Sequence, residues 1–330
     1  MRLRWITRAA APLLMAATLA LLAGCGDDDD SAGGTPESGG AKRTSVTVQD
    51  VAGIPAEFLT AGVKQGFFSK RGLDVSVKTA AGGAAIIPAV VSGDAQLGGS
   101  NVVSVLIAAA KELPIQMVAA GTFGPRTEQD DWSAILVTRD SSIRSAKDLE
   151  GKAMAVNTLK NVATETATAA LDNLGADASK VKFTEVDFPD MLAALDAGRV
   201  DSAFEIEPFV TAGLSQGFRR VVSPYYETKP DLQIGSYVAT KEYVQEHPDV
   251  VKAFRDGLED TGAWVKESPA EFRKVLASGG VKGAQELKLP TWKGAIDGDS
   301  LETHATLSQQ QGLIEEAPQL DDVVAPGAAG

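Results

Sequence analysis

The residues of this 330-residue chain with the most chemical reach lie in short polar runs, each following an apolar, strand-like segment. In Glu205-Ile206-Glu207-Pro208-Phe209, alternation along an extended chain sets two carboxylates on one side, and Pro208 halts easy continuation of the strand. Such a pair is the arrangement of a general acid and base, but no nucleophile or metal set accompanies it. Ligand hydrogen bonding is the expected role, with at least one glutamate facing a cleft; a solvated strand end is the alternative. A second run, Asn157-Thr158-Leu159-Lys160-Asn161, carries the only cation among the loops of interest, so Lys160 is the first candidate partner for an anion. Gly82 and Gly83 admit close approach of a polar group to backbone N–H groups, or form a tight turn. Ser100 and Asn101 cap the helix beginning at Val102, a role compatible with touching a ligand.

These runs need elements to position them. The pattern predicts a strand at Val46 to Val48, a helix through Phe58, Leu59, Val63 and Phe67, and a strand at Leu73 to Val77. A helix through Ile86 to Val91 then stops at Gly93 and is followed by a strand at Ala95 to Gly98. The order recurs further along: strand Lys152 to Val156, helix Val162 to Leu174, strand Val181 to Val186, then a helix through Met191 and Leu195 that stops at Gly198 before Val200 to Phe204. The repeat predicts two similar α/β lobes. Loops at the carboxyl ends of parallel strands are where such lobes meet a ligand, because helix N-termini offer free N–H groups there. Pro55 and Glu57, Gly82 and Gly83, and Ser100 and Asn101 fall in those loops of the first lobe. Asn157, Thr158, Lys160 and Asn161, then Phe188, then Glu205 and Glu207 fall in those of the second.

Composition limits the function. The formal charge of -13 comes without any run of lysine or arginine suited to a phosphate backbone, so nucleic acid is not an expected partner. One cysteine and two histidines cannot build a disulfide framework or a cysteine and histidine zinc site. No metal and no cofactor are expected. Arg2, Arg4 and Arg8 precede an apolar run from Ala9 to Ala23, too short to span a bilayer comfortably, which reads as a signal peptide. It leads to Leu22-Ala23-Gly24-Cys25, which resembles a bacterial lipobox and implies lipidation of Cys25; cleavage removes three arginines and leaves 28 basic against 44 acidic residues, or -16. Residues 26–43 are polar and aperiodic, a tether.

Three segments carry a family resemblance: Ala61 to Phe68 with Gly72-Leu73-Asp74-Val75; Ile87 to Gly93-Asp94-Ala95; and Met191 to Gly198-Arg199-Val200-Asp201-Ser202-Ala203 with Glu207-Pro208. Over about residues 44–290 the chain resembles the substrate-binding proteins of ABC importers, in the group related to nitrate, alkanesulfonate, taurine and thiamine-pyrimidine binders. The resemblance implies an α/β, type II periplasmic-binding-protein fold whose two lobes are joined by a hinge of two crossings, near Thr122 to Ile135 and near Tyr226 to Tyr237, with the C-terminal helices returning to the first lobe. The implied division is signal peptide 1–24, tether 25–43, first lobe 44–130 and 236–330, and second lobe 131–235. Trp132 and Tyr237 lie where an aromatic walls the cleft or packs a core. The implied function is capture of a small solute by hinge closure and delivery to an ABC permease and its ATPase. The protein would act as a monomer at the extracytoplasmic face of the cell envelope, held to the bilayer through Cys25. The alternative on the same fold is a thiamine-pyrimidine synthase-like enzyme. His247 and His304 fall far from the expected loops.

Overall fold

The computed structural model describes residues 43–330. The signal peptide, Cys25 and nearly all of the tether lie outside the described residues.

Two five-stranded sheets dominate. The first takes its strands in the order β2 (Leu73–Ala80), β1 (Thr44–Val51), β3 (Leu97–Asn101), β11 (Gly235–Thr240), β4 (Ile115–Ala120). The second runs β8 (Lys182–Glu185), β7 (Ala153–Val156), β9 (Ser202–Ile206), β6 (Ser133–Val137), β10 (Arg219–Val222). In each sheet the first three strands are parallel and the fourth is antiparallel to both neighbours. The two orders are therefore the same, and the repeat expected from the sequence is a repeat of topology.

The helices follow the apolar periodicity. α1 (Ile54–Lys64) and α2 (Gly83–Val91) link the parallel strands of the first sheet, and α3 (Val102–Ala110) leads to β4. α4 (Val162–Asn173), α5 (Phe188–Asp196) and α6 (Phe209–Ser215) do the same in the second, followed by a short α7 (Pro224–Thr228). After α2 and α5 the chain turns through Gly93 and Gly198 at φ 82° and 66°, left-handed values that glycine adopts without a Cβ penalty. Val48, Leu97, Ile86 and Leu106 in the first layer, and Leu136, Met154, Ala167 and Phe204 in the second, are fully buried.

The chain passes between the sheets twice, and the crossings hydrogen-bond to each other. β5 (Thr122–Phe123) lies on the first; Gly121 N donates to Gly235 O, Ile234 N to Thr122 O, and Gly124 N to Leu232 O on the second. β12 (Thr291–Trp292) pairs with β5 on its other side. α8 (Lys241–Glu246) packs on β11, while α9 (Pro248–Glu267) and α10 (Pro269–Ser278) pack on α1. α11 (Gly298–Gln310) touches both α3 beside the first sheet and α4 beside the second. His304 on α11 is wholly buried, with Nδ1 against a carboxylate oxygen of Glu165 on α4 and Nε2 2.8 Å from Gln233 O on the second crossing. Ser308 Oγ donates to the other Glu165 oxygen at 2.6 Å.

Candidate functional site

The ends of the parallel strands from both sheets meet over a small, largely enclosed cavity of about 50 Å³. The first layer supplies Asp50, Val51, Pro55, Gly99, Ser100 and Asn101. The second supplies Asn157, Asn161 with the start of α4, Phe188 and Ile206, and the crossings add Thr122, Trp132, Tyr225 and Tyr237.

Each polar group arrives by a local rule. Asn101 is the N-cap of α3, accepting from Ser104 N at 2.9 Å. Asn161 caps α4 by accepting from Ala163 N and Thr164 N, and its amide donates to Asn157 Oδ1 at 3.0 Å and Thr158 Oγ1 at 2.7 Å. The first-turn N–H of Val162 is among those a helix leaves without an intrahelical partner, and Val162 lines the cavity. Ser100 is buried and its hydroxyl has no hydrogen-bond partner, although it too faces the cavity. Such an orphan is costly unless something else satisfies it.

Asp50 is the sole charged residue in the lining; among the described residues no lysine, arginine or histidine joins it. It is 2% exposed, with Oδ1 accepting from Val51 N at 2.7 Å and Oδ2 from the Tyr237 hydroxyl at 3.2 Å. Burial pushes its carboxyl up from 3.8 to about 7, against the opposing pull of those two hydrogen bonds. Gly99 makes room for it, since a Cβ there would stand 2.3 Å from the Asp50 carboxyl carbon.

The sequence-level candidates divide into two sets. Pro55, Ser100, Asn101, Asn157, Asn161, Phe188 and Tyr237 line the cavity; Glu57, Gly82, Gly83, Thr158, Lys160, Glu205 and Glu207 do not. Three of the second set belong to contacts that close the two layers over the cavity. Gly82 packs so near the second layer that a Cβ would sit 2.8 Å from Asn157 Nδ2 and 3.2 Å from Thr158 Oγ1, and Asn157 Nδ2 donates to Ala81 O at 2.8 Å. Ile54 N donates to Glu207 O at 2.9 Å. The Glu207 carboxylate turns away from the cavity, accepting from Thr211 N, Thr211 Oγ1 and Lys288 N.

The expectation that Glu205 or Glu207 faces the cleft is therefore corrected. Ile206, between them, takes the cavity side, and strand alternation sends both neighbours elsewhere. Glu205 is fully buried with neither carboxylate oxygen hydrogen-bonded, and burial alone raises its carboxyl well above the ordinary value. Lys160 is exposed on a left-handed turn (φ 52°) and lines an outer groove with Gly83, Ser104 and Leu159, so the one cation expected at the site is outside it. Glu57 is half-buried in the first turn of α1. Gly83 backs Ser100, its missing Cβ 2.7 Å from that hydroxyl. Asp50, two residues beyond the predicted strand Val46 to Val48, begins the first of the expected loops and is not among the residues the sequence singled out. Tyr225, Thr122 and Ser236 carried no signal.

A family model described as NMT1/THI5 like matches residues 56–272, most of the described chain. The chain belongs to the NMT1/THI5 like family. A member of this family, it is 26% identical over 227 residues to the taurine-binding periplasmic protein of Escherichia coli (strain K12), an alignment spanning 65% of this chain and 67% of that one. Its fold matches the alkanesulfonate-binding protein SsuA of Xanthomonas axonopodis pv. citri bound to MOPS, with a TM-score of 0.72 at 16% identity over 86% of this chain and 99% of the other. The desulfurization enzyme DSZB matches with a TM-score of 0.62 at 16% identity, over 86% and 97% of the two chains. The fold of this NMT1/THI5 like chain is thus shared by binding proteins and by an enzyme.

Proposed function

We propose that this chain is the solute-binding component of an ABC importer, taking a small solute with an anionic head of the sulfonate type into the cavity between two lobes and delivering it to a membrane permease. The first sheet with the C-terminal helices α8 to α10 forms one lobe, and the second sheet forms the other. The single observation that carries the reading is the cavity itself. It is lined by strand ends and helix starts from both layers, among them Ser100, whose hydroxyl has no hydrogen-bond partner, and Val162 at the start of α4. Donors of that kind hold an oxyanion without a cationic side chain. The taurine-binding relative and the alkanesulfonate-binding fold neighbour point to the same head group. Contacts from Gly82 and Ile54 to the opposite lobe are those a hinged protein makes when closed, and ligand contacts made only in that state shift the population toward it.

Capture without reaction is part of the proposal, as are export through the N-terminal signal and anchoring through Cys25. The purified protein should be stabilised thermally by taurine or an alkanesulfonate, and mass spectrometry should recover the solute unchanged. A product formed from it would instead place the chain with the enzymes of this fold. Radiolabelled palmitate incorporated into the wild type but not into Cys25→Ser would establish the anchor.

A further inference from the structure

We infer that His304 is a positioning residue: its buried imidazole ties α4 to the second crossing and so holds two walls of the cavity in register, from a helix that contributes nothing to the lining. The inference rests on the proposed function for what the cavity does, and on hydrogen bonds alone for what His304 holds. The ring faces two elements at once. Nε2 stands 2.8 Å from Gln233 O, a carbonyl that can only accept, so Nε2 carries a hydrogen. Nδ1 meets a carboxylate oxygen of Glu165, and one proton lies between them. Ser308 Oγ donates to the other carboxylate oxygen at 2.6 Å, and Gln311 Nε2 donates to the Glu165 carbonyl at 3.0 Å. α11 and its C-cap thus grip α4 at a single residue.

Gln233 is gripped in the same way. Its N–H donates to Ser300 Oγ at 3.0 Å, its side-chain oxygen accepts from Asp297 N at 2.8 Å, and its side-chain nitrogen donates to Gly235 O and Ser236 Oγ, each at 3.0 Å. Gln233 and Glu165 have no hydrogen bond to each other, and His304 is the group common to both. What adjoins these two residues gives the link its purpose. Ile234, Gly235, Ser236 and Tyr237 follow Gln233 directly and line the cavity, as do Asn161, Val162 and Ala163 just before Glu165. His304, Glu165 and Gln233 are all wholly buried. A buried pair of this kind stabilises a fold no better than well-packed apolar side chains do, so packing of α11 does not by itself account for it. What the pair adds is a fixed geometry between two elements that border the cavity.

Hydrogen exchange read by mass spectrometry on the purified full chain tests this. The main variant is Glu165→Leu with His304→Leu, because removing both partners leaves no uncompensated buried charge and keeps the fold. Amides of residues 162–166 and 233–237 are expected to exchange roughly tenfold faster than in the wild type, while those of β1, β2 and α1 keep wild-type rates. Calorimetry with taurine as the probe is expected to show about tenfold weaker binding at an unchanged melting temperature. The second variant is His304→Gln, whose amide donates to one partner but presents an oxygen to the other; exchange is expected to quicken in one of the two segments only. Wild-type protection of both segments in either variant, or faster exchange spread evenly over both sheets, overturns the positioning role, as does unchanged taurine affinity in the double variant. If taurine does not bind the wild type, the sulfonate reading fails, and the exchange rates alone decide the role of His304.

Discussion

Asp50 and Glu205 are both carboxylates on central strands, both almost wholly buried, and neither has a cationic partner. Asp50 lies at the end of β1, keeps two hydrogen bonds and opens onto the cavity. Glu205 lies within β9 opposite Ala134 of β6, has no hydrogen bond and does not reach the cavity. Desolvation raises both carboxyls, but only Asp50 has open space in which another molecule could supply the missing charge. Perturbed acidity is thus a poor guide to function by itself; what faces the perturbed group decides. Glu165 supplies the third case, a buried carboxylate satisfied from within by His304 and Ser308.

Substitutions can break this comparison. The largest effect is expected at the satisfied group: Glu165→Gln strands His304 in the interior and should lower the unfolding free energy by roughly 3 to 5 kcal/mol in urea titrations. A loss under about 1 kcal/mol would mean that the pair bears little of the packing between α4 and α11. Asp50→Asn comes next, through pH. The native carboxyl titrates near 7 and the unfolded one near 3.8, so the folded state holds the extra proton between these values and stability falls as pH rises through that window. At about 1.4 kcal/mol for each pH unit, the wild type loses up to roughly 4 kcal/mol between pH 4 and pH 8. The asparagine variant lacks that loss and should be the more stable protein at pH 8 but not at pH 4, as melting curves at the two pH values would register.

Glu205→Leu sharpens the comparison from the other side. It removes two unsatisfied buried oxygens, so stability should be unchanged within about 1 kcal/mol or improved, with solute affinity unaltered. Lost affinity on that substitution would bring Glu205 back to the site. The smallest effect is expected at Gly82→Ala, whose Cβ would meet Asn157 and Thr158 and so oppose closure; titration should show solute binding about tenfold weaker, equivalent to ~1.4 kcal/mol, with the melting temperature of the unliganded protein unchanged.

The sequence by itself determined the order of elements, the repeated βα pattern, the family and the loops that border the cavity. Apolar periodicity and terminating glycines are local signals, and Asn101 and Asn161 cap their helices as their positions implied. Eight of the named residues line the cavity, six of them, such as Asn157 and Phe188, because a strand's end dictates where its loop emerges, and Trp132 and Tyr237 because they lie at the crossings. The tertiary structure alone decided which way each side chain in those loops turns. Lys160 points out because the chain passes through a left-handed residue, and the two glutamates turn from the cavity because Ile206 occupies that side. The meeting of Asp50 with Tyr237 follows from the placement of β11 beside β3, an antiparallel pairing across most of the chain. A charge becomes significant through what surrounds it, and those surroundings come from strands distant in sequence that only the folded sheet brings together.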